Sequence, residues 1–133
     1  MTVENEAQEP RMQEMCGGPQ GDPEVFRSIL ARVGDKWSMM LIGMLQHGPR
    51  RFTELKEMTQ GISSRMLTQT LRQLERDGLV SREIFAEIPP RVEYRVTDLG
   101  RSLIPAVLAL AEWADAHTVE IAENRDAYDA AAD

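Results

Sequence analysis

"GISSRMLTQTLRQLERDGLV", residues 61–80, decides the fold of this 133-residue chain. Ser63 reads as an N-cap, because its hydroxyl can accept from a first-turn amide that has no partner within the helix. Gly78 follows the last turn, where a left-handed residue ends a helix without Cβ strain. At about 100° per residue, Met66, Leu67, Thr70, Leu71 and Leu74 make one stripe. Arg65, Thr68, Gln69, Arg72 and Arg76 make the opposite one, and no acid interrupts it. A short helix that is apolar on one side and cationic on the other, in a chain of net charge −7, has to be explained by its neighbours.

Upstream, Thr53 is expected to cap a short helix that carries Leu55 and Met58 and stops at Gly61. Before it, Gly48 and Pro49 end a helix expected from Lys36 to Gln46. Trp37, Met40, Leu41, Met44 and Leu45 share one face of that helix, and its other face is also apolar, so its place should be central. Asp22 as cap and Pro23 at the first position open the first helix, where Val25, Phe26, Ile29, Leu30 and Val33 recur at helical spacing. Downstream of Gly78 the period changes. Two β-rich runs, about 80–87 and 92–97, are joined around Pro89, Pro90 and Arg91 and predict a hairpin stiffened at its tip. Thr97 or Asp98 then caps a long last helix with an apolar seam of Leu99, Leu103, Val107, Leu110, Ala114 and Ile121, and Pro105 is expected to kink its early part.

These elements divide the chain into a tail at 1–21, a domain at 22–118 with its flanking helices, and a helix end and acidic tail at 119–133, whose NRDAYDAAAD should fray. A length of 133 residues at 42% hydrophobic suits one compact domain. No apolar run reaches membrane-spanning length, and MTVENEAQEP is acidic where a signal peptide is basic and then apolar, so the expectation is a cytoplasmic protein with no membrane partner. One cysteine, Cys16, and two histidines, His47 and His117, give neither a disulfide framework nor a metal-ligand set. No phosphate loop or nucleophile elbow is present, Ser63 is accounted for as a cap, and neither enzymatic activity nor a cofactor is expected.

The charge is unevenly placed: residues 1–49 carry −3, residues 50–101 carry +2 and residues 102–133 carry −6. Only the middle is basic. Helix, helix, short helix, capped cationic helix, hairpin and long helix is the order of a winged helix-turn-helix, mainly α with a small β-hairpin wing. A helix entering the major groove of double-stranded DNA needs one anchored face and another that reaches base edges. Arginine can bond guanine O6 and N7, glutamine can bond adenine, and threonine can touch a thymine methyl. Ser63, Ser64, Arg65, Thr68, Gln69, Arg72 and Arg76 are therefore the candidate DNA contacts of the helix, with Arg91 at the wing tip for phosphate. Arg50 and Arg51 are divided between phosphate contact and an ion pair to Glu54.

The chain from about Glu24 to Trp113 also resembles the HxlR-type winged helix-turn-helix family of bacterial transcriptional regulators. The resemblance rests on Lys36-Trp37, Gly48-Pro49-Arg50-Arg51-Phe52, Ile62-Ser63, Leu67-Thr68 and Pro90-Arg91-Val92-Glu93-Tyr94, in order and at matching spacing. It implies a homodimer whose first and last helices pack on the partner, with Phe26, Ile29, Leu103, Val107, Leu110, Trp113 and Ala114 at the interface. Two reading helices would then meet one pseudo-palindromic operator, with repression the expected outcome. The resemblance also implies a cysteine about 13 residues before that tryptophan in many members, used in some as a thiol sensor. Here the matching place is Glu24, and Cys16 lies eight residues earlier beside Glu14 with no closer cation than Arg11, which favours an inert thiol over a redox sensor. A winged-helix protein-interaction module without DNA readout is the alternative function. Sensing of a small-molecule effector stays open, since Trp37, Trp113 and the methionines Met39, Met40, Met44, Met58 and Met66 could line a pocket, although helical methionines more often fill a core.

Overall fold

A computed structural model describes residues 21–132. Its elements are α1 (Pro23–Val33), α2 (Lys36–Leu45), β1 (Arg50–Arg51), α3 (Phe52–Met58), α4 (Ser64–Arg76), β2 (Val80–Phe85), β3 (Arg91–Val96) and α5 (Asp98–Ala132). Among the described residues, those up to Met40 and those from Leu41 onward form two compact units.

In the first unit the Asp22 carboxylate accepts from the Glu24 amide at 2.8 Å, capping α1, and Asp35 accepts from both the amide and the hydroxyl of Ser38 at 3.0 and 2.6 Å at the start of α2. No residue of α1 is buried.

The second unit holds the core, in which Leu41, Ile42, Leu45, Leu55, Ile62, Leu67, Leu71, Leu74, Val80 and Val96 are buried. The C-terminal part of α2 together with α3 and α4 supplies most of this cluster, and Val80 and Val96 meet it as a facing pair of the hairpin. The buried Thr59 and Thr70 are satisfied, donating to the Met44 sulfur at 3.4 Å and to the Met66 carbonyl at 2.8 Å. The methionines behave differently from the expected core filling. Met40 and Met58 are exposed, and Met66, placed on the apolar stripe of α4, is 41% exposed at its edge.

α3 starts two residues earlier than predicted. Arg51 rather than Thr53 is its N-cap, because the Glu54 carboxylate reaches back to accept from the Arg51 amide at 3.0 Å. The hairpin is one side of a three-stranded antiparallel sheet of order β1-β3-β2, in which Arg50 faces Tyr94, Arg51 faces Glu93, and Arg82 faces Tyr94 from the other side. The Thr97 hydroxyl donates to the Gly78 carbonyl at 2.6 Å and accepts from the Gly100 amide at 3.1 Å, so Thr97 caps α5 and ties it to the end of α4. α5 then runs through Pro105 to Ala132, and the stretch expected to fray is helical. These features give the second unit a winged helix-turn-helix, with α3 and α4 as the helix pair and β2–β3 as the wing.

Candidate nucleic-acid interface

α4 is held at both ends and along one side. The Ser63 hydroxyl accepts from the Met66 amide at 3.0 Å. At the other end the Leu79 amide reaches the Leu74 carbonyl and the Gly78 amide the Glu75 carbonyl, both at 3.0 Å, with Gly78 at φ +77°. That pair of bonds is a Schellman closure and requires a residue without a Cβ penalty at Gly78. Leu67, Thr70, Leu71 and Leu74 bury the inner side.

The outer side follows from this anchoring. Ser63, Ser64, Arg65, Gln69, Arg72 and Arg76 are exposed. Thr68 is half-buried and its hydroxyl donates to the Ser64 carbonyl at 2.8 Å. Among the described residues no ion pair holds Arg65, Arg72 or Arg76. Three cations and an amide thus lie exposed on one side of a helix whose N-terminal amides add partial positive charge.

The other predicted arginines are placed differently. Arg50 is half-buried and pairs with Glu54 at 3.6 Å, which realises the ion-pair alternative, and its Nε has no hydrogen-bond partner. Arg51 is exposed. Arg91 is the first residue of β3 and not a free tip. Its guanidinium lies 4.2 Å over the Phe85 ring, 3.3 Å from Glu87 and 3.6 Å from Glu93. Two carboxylates and an aromatic face satisfy that charge inside the wing, so the side chain expected to meet phosphate is engaged.

Three wing residues were not among the predicted contacts. Arg82 reaches from β2 to Glu75 of α4 at 3.6 Å. Tyr94, across the sheet from it, has its hydroxyl pushed above the ordinary tyrosine value of 10.0 by burial, with Arg82 and Arg72 opposing and Glu75 assisting. The phenol therefore stays protonated at neutral pH. Arg95 is exposed beside Ser81. Alternation along the hairpin could have put Arg82 and Tyr94 on one face, but the strand register that sets them opposite each other was not in the sequence.

The residues expected at a dimer interface are bare to varying degrees. Phe26, Leu103 and Val107 are half-buried, while Ile29, Leu110, Trp113 and Ala114 are exposed. Trp113 stacks on His117 at 4.3 Å, and His117 Nδ1 lies 2.6 Å from the Trp113 carbonyl. Cys16 lies outside the described residues. Among the described residues no cluster of His, Cys, Asp and Glu is placed to hold a metal, and no helix is long and apolar enough to cross a membrane.

A family model described as HxlR-like helix-turn-helix matches residues 32–122. An uncharacterized HTH-type transcriptional regulator of Methanothermobacter thermautotrophicus is 43% identical over 100 residues, which is 73% of this chain and 76% of the relative. Among solved structures, the redox regulator HypR in its reduced form is similar at a TM-score of 0.67 and 38% identity, over 73% of this chain and 96% of that one. The reduced transcriptional regulator YodB of B. subtilis is similar at 0.63 and 32%, over 72% of this chain and 94% of that one.

Proposed function

From the premise that the chain belongs to the HxlR-like helix-turn-helix family, a family of DNA-binding regulators of transcription, we propose that it represses its targets by binding a pseudo-palindromic operator as a homodimer. The observation that carries this reading is the outer face of α4, where Arg65, Gln69, Arg72 and Arg76 are exposed on a helix whose opposite side is fixed in the core. A winged-helix module that had given up DNA would have no reason to keep a face of cations clear of acids on that helix.

In this reading Arg65, Thr68, Gln69 and Arg72 meet base edges, and Ser63, Ser64, Arg76 and Arg51 meet phosphates, with Arg50 joining them when phosphate displaces Glu54. Arg91 acts by holding the wing together. A twofold protein axis imposes twofold symmetry on the site, so two half-sites lie about one helical turn, ~34–36 Å, apart. Selection of bound sequences from a random double-stranded DNA pool tests the proposal. Enrichment of an inverted repeat with that spacing is expected, and recovery of no preferred sequence at low salt would falsify it.

A further inference from the structure

The wing presents an unusual tip. Along β2 and β3 the charges cancel, since Arg82, Arg91 and Arg95 are matched by Glu83, Glu87 and Glu93, and Glu83 faces Glu93 directly across the strands. Glu87 at the tip is tied to Arg91. The wing therefore has little net positive charge for a phosphate backbone. What it does offer is apolar. Ile88 is fully exposed, and it is followed by the exposed Pro89 and Pro90.

A single bare aliphatic side chain is ordinary on a protein surface. Ile88 differs because it stands in the middle of a five-residue connection between the paired Phe85 and Arg91, braced by the ion pair to Glu87, by the Arg91 guanidinium over Phe85, and by two proline rings. Behind it a cleft of about 350 Å³, lined by Arg51, Phe52, Ile88, Pro89, Arg91 and Val92, separates the tip from the start of α3. The exposed Arg51 stands at that cleft, placed to meet a phosphate of a strand running between tip and helix. A stiff, uncharged, aliphatic projection set beyond a cation is the device by which proteins pry apart a base step from the minor groove, partly unstacking it and kinking the duplex.

We propose that Ile88, backed by Pro89, is a minor-groove wedge that unstacks a base step flanking the major groove read by α4. The inference rests on the DNA-binding reading and adds a second determinant to it. Pyrimidine–purine steps unstack most easily, so the wedge selects a TA or CA step in the operator at a position that no polar side chain reads.

The test uses the full chain and the operator recovered from the random pool, with 2-aminopurine at the adenines under the wing and a donor–acceptor dye pair on the duplex ends. Wild type should raise the 2-aminopurine fluorescence at one step per half-site and shorten the end-to-end distance. Ile88→Ala should abolish both signals and weaken operator binding roughly tenfold or more, from the loss of buried aliphatic surface. Ile88→Leu should keep all three. Replacing the flexible step by a stiff AA step should cost wild type affinity and leave Ile88→Ala indifferent. Ile88→Ala binding as tightly as wild type would overturn the wedge. So would weaker binding by Ile88→Ala with fluorescence and end-to-end distance as in wild type, since the tip would then touch DNA without unstacking it. Failure to recover any operator is a separate outcome that removes the DNA-binding reading itself and the wedge with it.

Discussion

Arg65 and Arg72 stand on the outer side of α4, about two turns apart, each exposed and neither held by an ion pair among the described residues. A guanidinium that replaces water with two bonds to a guanine loses both when truncated, so Arg65→Ala or Arg72→Ala should cost about 1–3 kcal/mol on the operator and far less on unrelated DNA. Titration of each variant against operator and scrambled duplex checks this, and equal losses on both would mean that the arginines meet only phosphate. Gly100 shows the opposite kind of constraint. A Cβ built there would run into the Leu79 carbonyl oxygen and come within 2.7 Å of the Val96 side chain, at the place where α5 leaves the wing. Because backbone cannot yield as a side chain tip can, Gly100→Ala should lower stability by about 3 kcal/mol, at the upper end of the range for overpacking. A urea melt of wild type and variant reads that difference. The free arginines and the Ser63 cap were legible from spacing alone, since a helix wheel needs only local sequence. Arg91 and Met66 were not, because what engages the one and leaves the other at the rim depends on strand register and on how far the core extends.

Between elements, the contact that sets the wing against the reading helix is Glu75 with Arg82, at 3.6 Å and with both side chains more than a third exposed. An exposed pair of this kind adds little to stability, typically under ~1 kcal/mol. Its effect on DNA should be larger, because Glu75 is an acid on a helix that approaches phosphates and it occupies a cation that could otherwise pair with one. Glu75→Gln should therefore leave the urea midpoint nearly unchanged, tighten binding to operator and scrambled DNA alike, and steepen the dependence of log K on log salt by about one phosphate contact. Arg82→Gln should leave that slope as in wild type, because its charge is already engaged. An unchanged slope in Glu75→Gln would show that Arg82 points away from DNA. The helices α1, α2 and α4 and the hairpin were readable because caps and periods are local signals. β1 was not, since two residues carry no alternation and become a strand only by pairing with β3. The far end of α5 was misread for a related reason: alanine-rich acidic sequence looks weakly ordered by composition, while its helix grows from a start already fixed by Thr97.

The whole molecule carries apolar surface that one chain leaves uncovered. α5 is 35 residues long, which is roughly 52 Å of helix, and Gly100 is its one buried residue. Leu110 is 56% and Trp113 57% exposed, and Leu108, Val119 and Tyr128 are bare as well. The expected seam was a single stripe, yet Leu108 and Leu110 lie about 200° apart around the axis, so the helix offers apolar side chains on more than one side. A helix of that kind is stable in water only when something encloses it. α1, with Val25, Ile29 and Leu30 exposed and no residue buried, makes the same demand. In the reading proposed above, a second copy of the chain covers α5 through an isologous interface, in which each residue is used twice. Leu110→Asp puts a carboxylate into the middle of that surface, where burial without a partner costs several kcal/mol, while the core of the second unit, which does not include Leu110, is left intact. The variant should keep the helical circular dichroism of the winged domain, run as a monomer in light scattering, and lose operator affinity by a factor of ~10²–10⁴, because two half-sites no longer bind as a linked pair. On a duplex carrying one half-site it should bind as the wild-type protein does. Wild-type mass and operator affinity in Leu110→Asp would place the dimer contact elsewhere, and a wild-type protein that is itself monomeric at the concentrations that fill the operator would remove the linked pair altogether.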